Sequence, residues 1–227
     1  MNTTPTSATA PVHVKHPSVP DSGSRLFAVR WEDRPVPPSP PYLVDLTLPQ
    51  GTLNFLVSPS GIGKTSLMLE LSNCVANGLP FKERAVNDPG PVLLIDNEMG
   101  WAGIHRYCTE LGMMGYFTAL HNVPYRELVP LINAAHAEGC KLVIIDSYTS
   151  LVAECTDGGD PMNSATSTDK LLSPLLALAH NTGITIIVLH HTGKDDVTFI
   201  GSQRIRSLPD EMYELSLDTE TGTMTLN

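Results

Sequence analysis

Short apolar runs alternate along the chain with longer segments in which apolar residues recur every three or four positions. Short runs are typical of buried strands, and the longer recurrence is typical of helices with one buried face. The runs predict strands at Thr52–Val57, Val92–Asp96, Phe117–Leu120, Leu142–Asp146 and Thr185–His190. The recurrence predicts helices at Lys64–Asn77, Gly103–Leu111, Tyr125–Glu138 and Thr168–Asn181. Pro174 lies inside the last of these, where we expect a kink.

The strand runs contain few polar positions, and such strands need cover on both faces. This indicates an α/β fold with a mainly parallel, twisted sheet flanked by helices. Met212–Leu217 and Thr223–Leu226 flank a polar turn and predict a C-terminal β-hairpin. In parallel sheets, ligands bind beyond the carboxyl ends of the strands, so the residues after each strand are the candidates for chemistry.

The N-terminal part of the chain lacks this alternation. Residues 1 to 24 are rich in Ser, Thr and Pro, and Pro35–Pro41 contains five prolines, which exclude a helix or a central strand. We therefore expect residues 1–41 to be a disordered tail and linker. Residues 42–227 are expected to form a single domain.

A phosphate-binding loop is predicted between the first strand and the first helix. The segment Ser58-Pro-Ser-Gly-Ile-Gly-Lys64-Thr65 is a Walker A loop in the strand–loop–helix context that such a loop requires. Backbone N–H groups there wrap the phosphates, Lys64 brings a charge to the β and γ oxygens, and the Thr65 hydroxyl can ligate Mg²⁺. The predicted ATP-binding residues are Ser58, Pro59, Ser60, Gly61, Ile62, Gly63, Lys64, Thr65 and Ser66.

One position departs from the Walker A pattern, because Ser58 stands where the first glycine is usual. A serine is tolerated there if its φ is negative. The alternative interpretation of the whole segment is a glycine-rich turn before a helix with no ligand.

Two further strands end in acidic residues. Leu142–Asp146 is followed by Ser147 and has the Walker B pattern, in which Asp146 holds Mg²⁺. Leu93–Asp96 leads to Glu98, our choice for the catalytic base, with Asp96 as the second candidate. The alternatives are an aspartate that caps a strand end and a solvated acidic turn.

Adjacent histidines, His190 and His191, end another predicted strand. A polar side chain there can hydrogen-bond the γ-phosphate and report its loss to the following loop. Adjacent strand residues point to opposite faces, so the two imidazoles cannot easily share one metal ion. We expect one to face the nucleotide, with His190 preferred, and the other to pack; a plain structural role for both is the alternative.

Composition limits the function further. The net charge is −10, which is unfavourable for a free-standing nucleic-acid-binding surface. No apolar run approaches the roughly 18 residues that span a bilayer, and the N-terminus has no signal-peptide pattern. Four cysteines, Cys74, Cys108, Cys140 and Cys155, have no metal-ligand spacing. We expect free thiols, no membrane association and a cytoplasmic location.

These motifs, in this order, resemble the RecA-like P-loop NTPases of the RepA-like, AAA-type class, which are hexameric replicative helicases of plasmids and phages. The segments that carry the resemblance are Tyr42–Asp45, Leu53–Val57, Val75–Gly78, Leu94–Glu98, Leu142–Ser147, His190–Lys194 and Gly201–Ser202. The combination of Glu98 with His-His-x-x-Lys is its most specific part.

The resemblance implies a homo-oligomer, a hexameric ring with ATP and Mg²⁺ bound between neighbouring subunits. It implies that Glu98 is the catalytic base and that His190 or His191 is the phosphate sensor. Single-stranded DNA would thread the pore and contact the loops Ala153–Ser167 and Thr192–Ile200.

Three features depart from this class. The family often has Arg where this chain has Ile200, so Arg204 or Arg206 is the candidate arginine finger. The first pore loop carries Glu154, Asp157 and Asp160, which leaves Lys194 in the second loop as the better contact for DNA. Members also continue beyond such a hairpin, so a minimal or truncated form is expected.

Two functions therefore stay open: a DNA motor or loader in replication, and a regulatory or assembly ATPase that changes its oligomeric state with nucleotide and does not translocate DNA. A phosphotransferase would need an acceptor-binding lid that the sequence does not reveal. A nucleotide binder without turnover disagrees with the complete set Lys64, Thr65, Glu98 and Asp146.

Overall fold

One seven-stranded sheet forms the centre of the domain in the computed structural model, which describes residues 41–110, 112–113, 117–155, 159–192 and 202–227. The strands are β1 (Tyr42–Val44), β2 (Leu48–Pro49), β3 (Leu53–Ser58), β4 (Val92–Asp96), β5 (Phe117–His121), β6 (Leu142–Asp146), β7 (Thr185–His191), β8 (Glu211–Asp218) and β9 (Thr223–Leu226). The order in the sheet is β5-β4-β6-β7-β3-β8-β9, and β1 and β2 pair separately. The predicted strands and the C-terminal hairpin are thus confirmed.

The strand pairing is parallel from β5 to β8, and only β9 runs antiparallel to its neighbour within this sheet. The mainly parallel α/β sheet of a RecA-like P-loop fold is therefore confirmed. In this register Asp96 lies opposite both Asp146 and His121. The pairing brings the strand-end residues of β4, β5 and β6 to one edge of the sheet.

Helices cover both faces of the sheet. They are α1 (Lys64–Asn77), α2 (Gly100–Glu110), α3 (Tyr125–Ala137), α4 (Tyr148–Val152), α5 (Ala165–Thr182) and α6 (Arg204–Ser207), and Ala153–Cys155 is a 3₁₀ turn. Successive strand residues point to opposite faces. Accordingly, Val143 and Ile145 belong to one buried cluster with α3, α4 and α5, and Leu142 and Ile144 belong to another with α1.

Several boundaries differ from the predictions for identifiable reasons. Helix α2 begins at Gly100 because the Asp96 carboxylate caps its first turn. Helix α5 begins at Ala165 because the Ser164 hydroxyl accepts from the Ser167 N–H, and α5 runs through Pro174. The short elements β1, β2, α4 and α6 were not predicted.

The remaining predictions on organisation have mixed outcomes. All four cysteines are free thiols, as predicted, and three of them are buried. No helix in the described part of the chain is long and apolar enough to cross a membrane. The predicted tail and linker lie outside the described residues, apart from Pro41.

Candidate active site

The phosphate-binding loop joins the end of β3 to the start of α1. Gly61 and Gly63 have φ of 82° and 108°, the left-handed region that favours glycine, and nothing lies within 4 Å of the place where a Cβ on Gly61 would stand. No side chain caps the N-terminus of α1, and its first turn has no acidic residue. The amides and the positive end of the helix dipole are therefore left to an anion.

Ser58 is the buried last residue of β3, and it is not among the non-glycine residues with positive φ. The condition for tolerating a serine here is therefore met. Its side chain also takes part in the site, because Lys64 Nζ donates to Ser58 Oγ at 2.9 Å and to the Ser58 carbonyl at 2.9 Å.

Lys64 is 5% exposed and lies among oxygen acceptors at the loop. Burial lowers the pKa of its ammonium to about 8, although the carboxylates of Asp146 and Glu98 oppose the shift. A triphosphate would supply further compensating negative charge. The position and electrostatics of Lys64 thus suit the role predicted for it.

Thr65 and Asp146 meet beside the loop, where the threonine hydroxyl donates to Asp146 Oδ2 at 2.7 Å. Burial raises the pKa of Asp146 to about 7, and the nearby charge of Glu98 raises it further. A divalent cation would favour the ionised form. The two oxygen donors suit Mg²⁺, which takes its other ligands from water and substrate phosphates. Within the described ranges, no cluster of three or more His, Cys, Asp or Glu could hold a metal alone.

The two candidate bases have different surroundings. Asp96 is 2% exposed, and its carboxylate accepts from the N–H groups of Glu98, Met99 and Gly100 and from His121. These contacts occupy both of its oxygens, so Asp96 is unsuited to activating water. Glu98 is partly exposed and points toward the loop, where a hydrogen bond from His191 holds its pKa below the ordinary value. Glu98 remains the candidate base.

The structure separates the two histidines, as expected, but it reverses the preference for His190. His190 is fully buried and packs edge-on against Tyr148 and Phe55, with ring centroids 5.0 and 6.3 Å away. His191 is the imidazole at the phosphate loop: Nδ1 lies 3.1 Å from Lys64 Nζ, and Nε2 lies 3.1 Å from Glu98 Oε1. Strand parity separates the two rings, because β7 sends successive side chains to opposite faces, and the face that carries His191 turns toward Lys64.

One tautomer of His191 satisfies both of these contacts. An ammonium only donates, so Nδ1 accepts from Lys64, and the proton on Nε2 is donated to the Glu98 carboxylate. One imidazole therefore joins the Lys64 ammonium to the candidate base. This arrangement can respond to a γ-phosphate at Lys64 and to the charge state of Glu98.

The arginine and pore-loop candidates are only partly described. Arg204 Nε donates to Asp169 at 2.6 Å, which ties α6 to α5, and Arg206 is exposed on the same short helix. Asp157, Lys194 and Ile200 lie outside the described residues. The loops after β6 and β7 meet where the Ser202 N–H donates to the Met162 carbonyl at 2.9 Å.

The described residues of the first predicted pore loop make local contacts. Its start is the continuation of α4 as a 3₁₀ turn, and Glu154 accepts from the Tyr125 N–H at 3.2 Å. Asp160 accepts from the Met162 N–H and the Asn163 side chain. The acidic side chains that can be described here therefore make local contacts.

Sequence reasoning missed two residues that hold the Glu98 turn, Asn97 and His121. The Asn97 side chain exchanges two 3.1 Å hydrogen bonds with the backbone of Val123, and His121 contacts Asp96. The only available signal was that His121 ends the strand after Asp96.

Comparison with known protein families agrees with this geometry. A family model described as an AAA domain matches residues 20–197. That span includes the phosphate loop, Glu98, Asp146 and His191.

Proposed function

The chain belongs to the AAA domain family of P-loop ATPases, and from this premise we propose that it hydrolyses Mg-ATP to drive a motor or loader on single-stranded DNA in replication of plasmid or phage type. The observation that carries the proposal is the contact chain from Lys64 through His191 to Glu98, beside the Thr65–Asp146 pair. The groups that bind phosphate, hold the cation and accept a proton are thereby within reach of one nucleotide.

Hydrolysis follows from the roles of these side chains. Glu98 accepts a proton from water, the water oxygen attacks the γ-phosphorus, and the bond to the β–γ bridging oxygen breaks to release ADP and phosphate. Thr65 and Asp146 would hold Mg²⁺, which would supply positive charge to the β and γ oxygens. Lys64 moves its ammonium toward these oxygens, which weakens its contact with His191.

His191 then links chemistry to movement. Its neighbour Thr192 begins the loop after β7, and Ser202 at the other end contacts the loop after β6. When phosphate binds or leaves, the hydrogen bond at His191 Nδ1 would change, and the loop after β7 begins at the next residue. In the homo-oligomeric, hexameric ring that we propose, this adjacency would couple the ATP site to the loops that contact DNA.

The second candidate is a regulatory or assembly ATPase without DNA translocation. The net charge of −10 and the acidic residues Glu154 and Asp160 near the first loop favour it, because a DNA path needs positive charge. Both candidates use the same ATP site.

The deciding experiment measures ATPase rate with and without single-stranded DNA at low salt, in the unaltered protein and in Lys194→Ala. The motor is supported if DNA stimulates turnover and Lys194→Ala abolishes the stimulation. Lys141→Ala is the control, since Lys141 pairs with Asp88 away from the site. Absence of stimulation, together with ATP-dependent assembly by native mass measurement, supports the switch.

The arginine finger is tested by mixing subunits. We propose that Arg204 or Arg206 reaches the ATP of the neighbouring subunit, so that Arg→Ala subunits mixed with unaltered ones lower turnover more than in proportion to their share. A proportional decrease for both arginines would contradict an interfacial role.

A further inference from the structure

The turn that carries Glu98 is held by a buried carboxylate, and that carboxylate is held in turn by a histidine outside the nucleotide site. Asp96 Oδ1 accepts from the N–H groups of Glu98 at 3.2 Å and Met99 at 2.8 Å. Oδ2 accepts from the Gly100 N–H at 2.6 Å and lies 2.8 Å from His121 Nδ1. The carboxylate therefore holds the backbone amides of Glu98 and of the two residues that follow it.

His121 contributes one hydrogen bond to this arrangement. A carboxylate only accepts, so Nδ1 carries the proton, and among the described residues Nε2 has no hydrogen-bond partner. The imidazole's polar contact is thus directed at Asp96. Register explains the contact, because β4 and β5 pair with Asp96 opposite His121.

The rest of the turn is fixed from other directions. The Asn97 N–H donates to the Asp146 carbonyl at 2.6 Å, and the Asn97 side chain is bonded to Val123. The Asn122 N–H donates to the Asp96 carbonyl at 3.2 Å. The His121 side chain on β5 therefore acts on the turn by orienting the Asp96 carboxylate.

We propose that His121 is a positioning residue for hydrolysis: its hydrogen bond orients Asp96, and Asp96 fixes the backbone from which Glu98 reaches the attacking water. The inference rests on the proposed ATPase reaction and adds a residue that does not touch the substrate. A catalytic group displaced by about 1 Å loses much of its effect. The backbone amides expected to bind phosphate belong to the loop between β3 and α1, and none of them belongs to this turn.

The test compares His121→Ala with His121→Asn, whose amide nitrogen can take the place of Nδ1. In His121→Ala we expect kcat to fall about tenfold, a part of the roughly 10²- to 10⁴-fold that a general base contributes, with KM and ATP affinity changed less than about twofold. His121→Asn should recover most of the rate. His105→Ala is the matched control, because the rings of His105 and His121 both contact Trp101, whereas of the two it is His121 that is hydrogen-bonded to Asp96.

A double variant separates positioning from a general structural effect. In a Glu98→Gln background, His121→Ala should leave the residual rate nearly unchanged, since there is no base left to misplace. A tenfold fall in that background, a parallel loss of ATP affinity, or an unchanged kcat in His121→Ala would overturn the proposal.

A readout without turnover keeps this inference distinct from the proposed function. Amide hydrogen exchange at Glu98, Met99 and Gly100 should accelerate in His121→Ala, remain near normal in His121→Asn and be unaffected in His105→Ala. If the unaltered protein does not hydrolyse ATP, the proposed function fails while this exchange pattern still reports on the turn. Unchanged exchange in His121→Ala would refute the positioning role by itself.

Discussion

Thr65 Oγ1 donates a 2.7 Å hydrogen bond to Asp146 Oδ2, which joins the first turn of α1 to the end of β6. The two residues are far apart in the sequence, with β4 and β5 between them. The parallel order of the strands nevertheless brings both to the same edge of the sheet. Each residue can provide one oxygen ligand to a divalent cation, and the other ligands would come from water and substrate phosphates. We therefore expect the affinity of the site for a divalent cation to depend on both Thr65 and Asp146.

Replacing Thr65 by valine removes one of these oxygens while retaining the shape of the side chain. We expect affinity for Mg-ATP to fall about 10- to 100-fold, as for the loss of a group that supports a metal, with little change in affinity for ATP in excess EDTA. Titration with a fluorescent ATP analogue measures both. Thr109→Val, on the exposed side of α2, is the control. Equal losses with and without Mg²⁺ would contradict a metal role for Thr65.

Glu98→Gln keeps an oxygen for the hydrogen bond from His191 and removes the ability to accept a proton. ATP binding should persist, while single-turnover hydrolysis falls about 10²- to 10⁴-fold. Glu110→Gln, at the exposed end of α2, should hydrolyse ATP at the normal rate. Normal hydrolysis by Glu98→Gln would show that another group is the base.

The stability of the nucleotide-free protein should fall as the pH rises from about 4 to about 7. Burial raises the pKa of Asp146 from 3.8 to about 7, so in this window the folded chain holds a proton that the unfolded chain has lost. Urea unfolding at a series of pH values without Mg²⁺ measures the slope. Asp146→Asn should flatten it, and Glu98→Gln should move it to lower pH by removing a neighbouring negative charge. The same slope in Asp146→Asn would contradict the assignment.

Tyr148 is buried in the core and joins α4 to α5. Its hydroxyl lies 2.9 Å from Thr168 Oγ1, a buried hydrogen bond between α4 and α5, and burial raises its pKa to about 12. Tyr148→Phe should lower the free energy of unfolding by about 1 kcal/mol, measured by urea denaturation. Tyr107→Phe, which is only partly buried, should change it by less than about 0.5 kcal/mol. If the two substitutions lower the free energy of unfolding equally, the hydrogen bond between Tyr148 and Thr168 does not contribute to stability.

The sequence was sufficient for the sheet, the phosphate loop and the acidic strand ends, because each depends on local pattern. Apolar runs mark β3, β4, β6 and β7, and the residues that follow a parallel strand must lie at one edge. Lys64, Thr65 and Asp146 are brought together in the structure for that reason.

The remaining features depend on three-dimensional neighbours that no local pattern reveals. The choice between His190 and His191 requires knowing which face of β7 turns toward Lys64. The start of α2 depends on Asp96, which also caps this helix. Its position at the end of a strand gave no indication of that second role. His121 was missed because its partner lies 25 residues earlier in the chain.

The alignment of β7 with its neighbours decides which of its two adjacent imidazoles lies beside Lys64. Sliding this strand by one residue would exchange its two faces. In one direction His191 would then enter the aromatic pocket of Tyr148 and Phe55, and Thr192 would take its place beside Lys64. The pocket would still receive a ring, but every aliphatic neighbour along the strand would change sides. The packing of the isoleucine, valine and leucine residues of β7 therefore determines which of the two similar histidines lies beside Lys64.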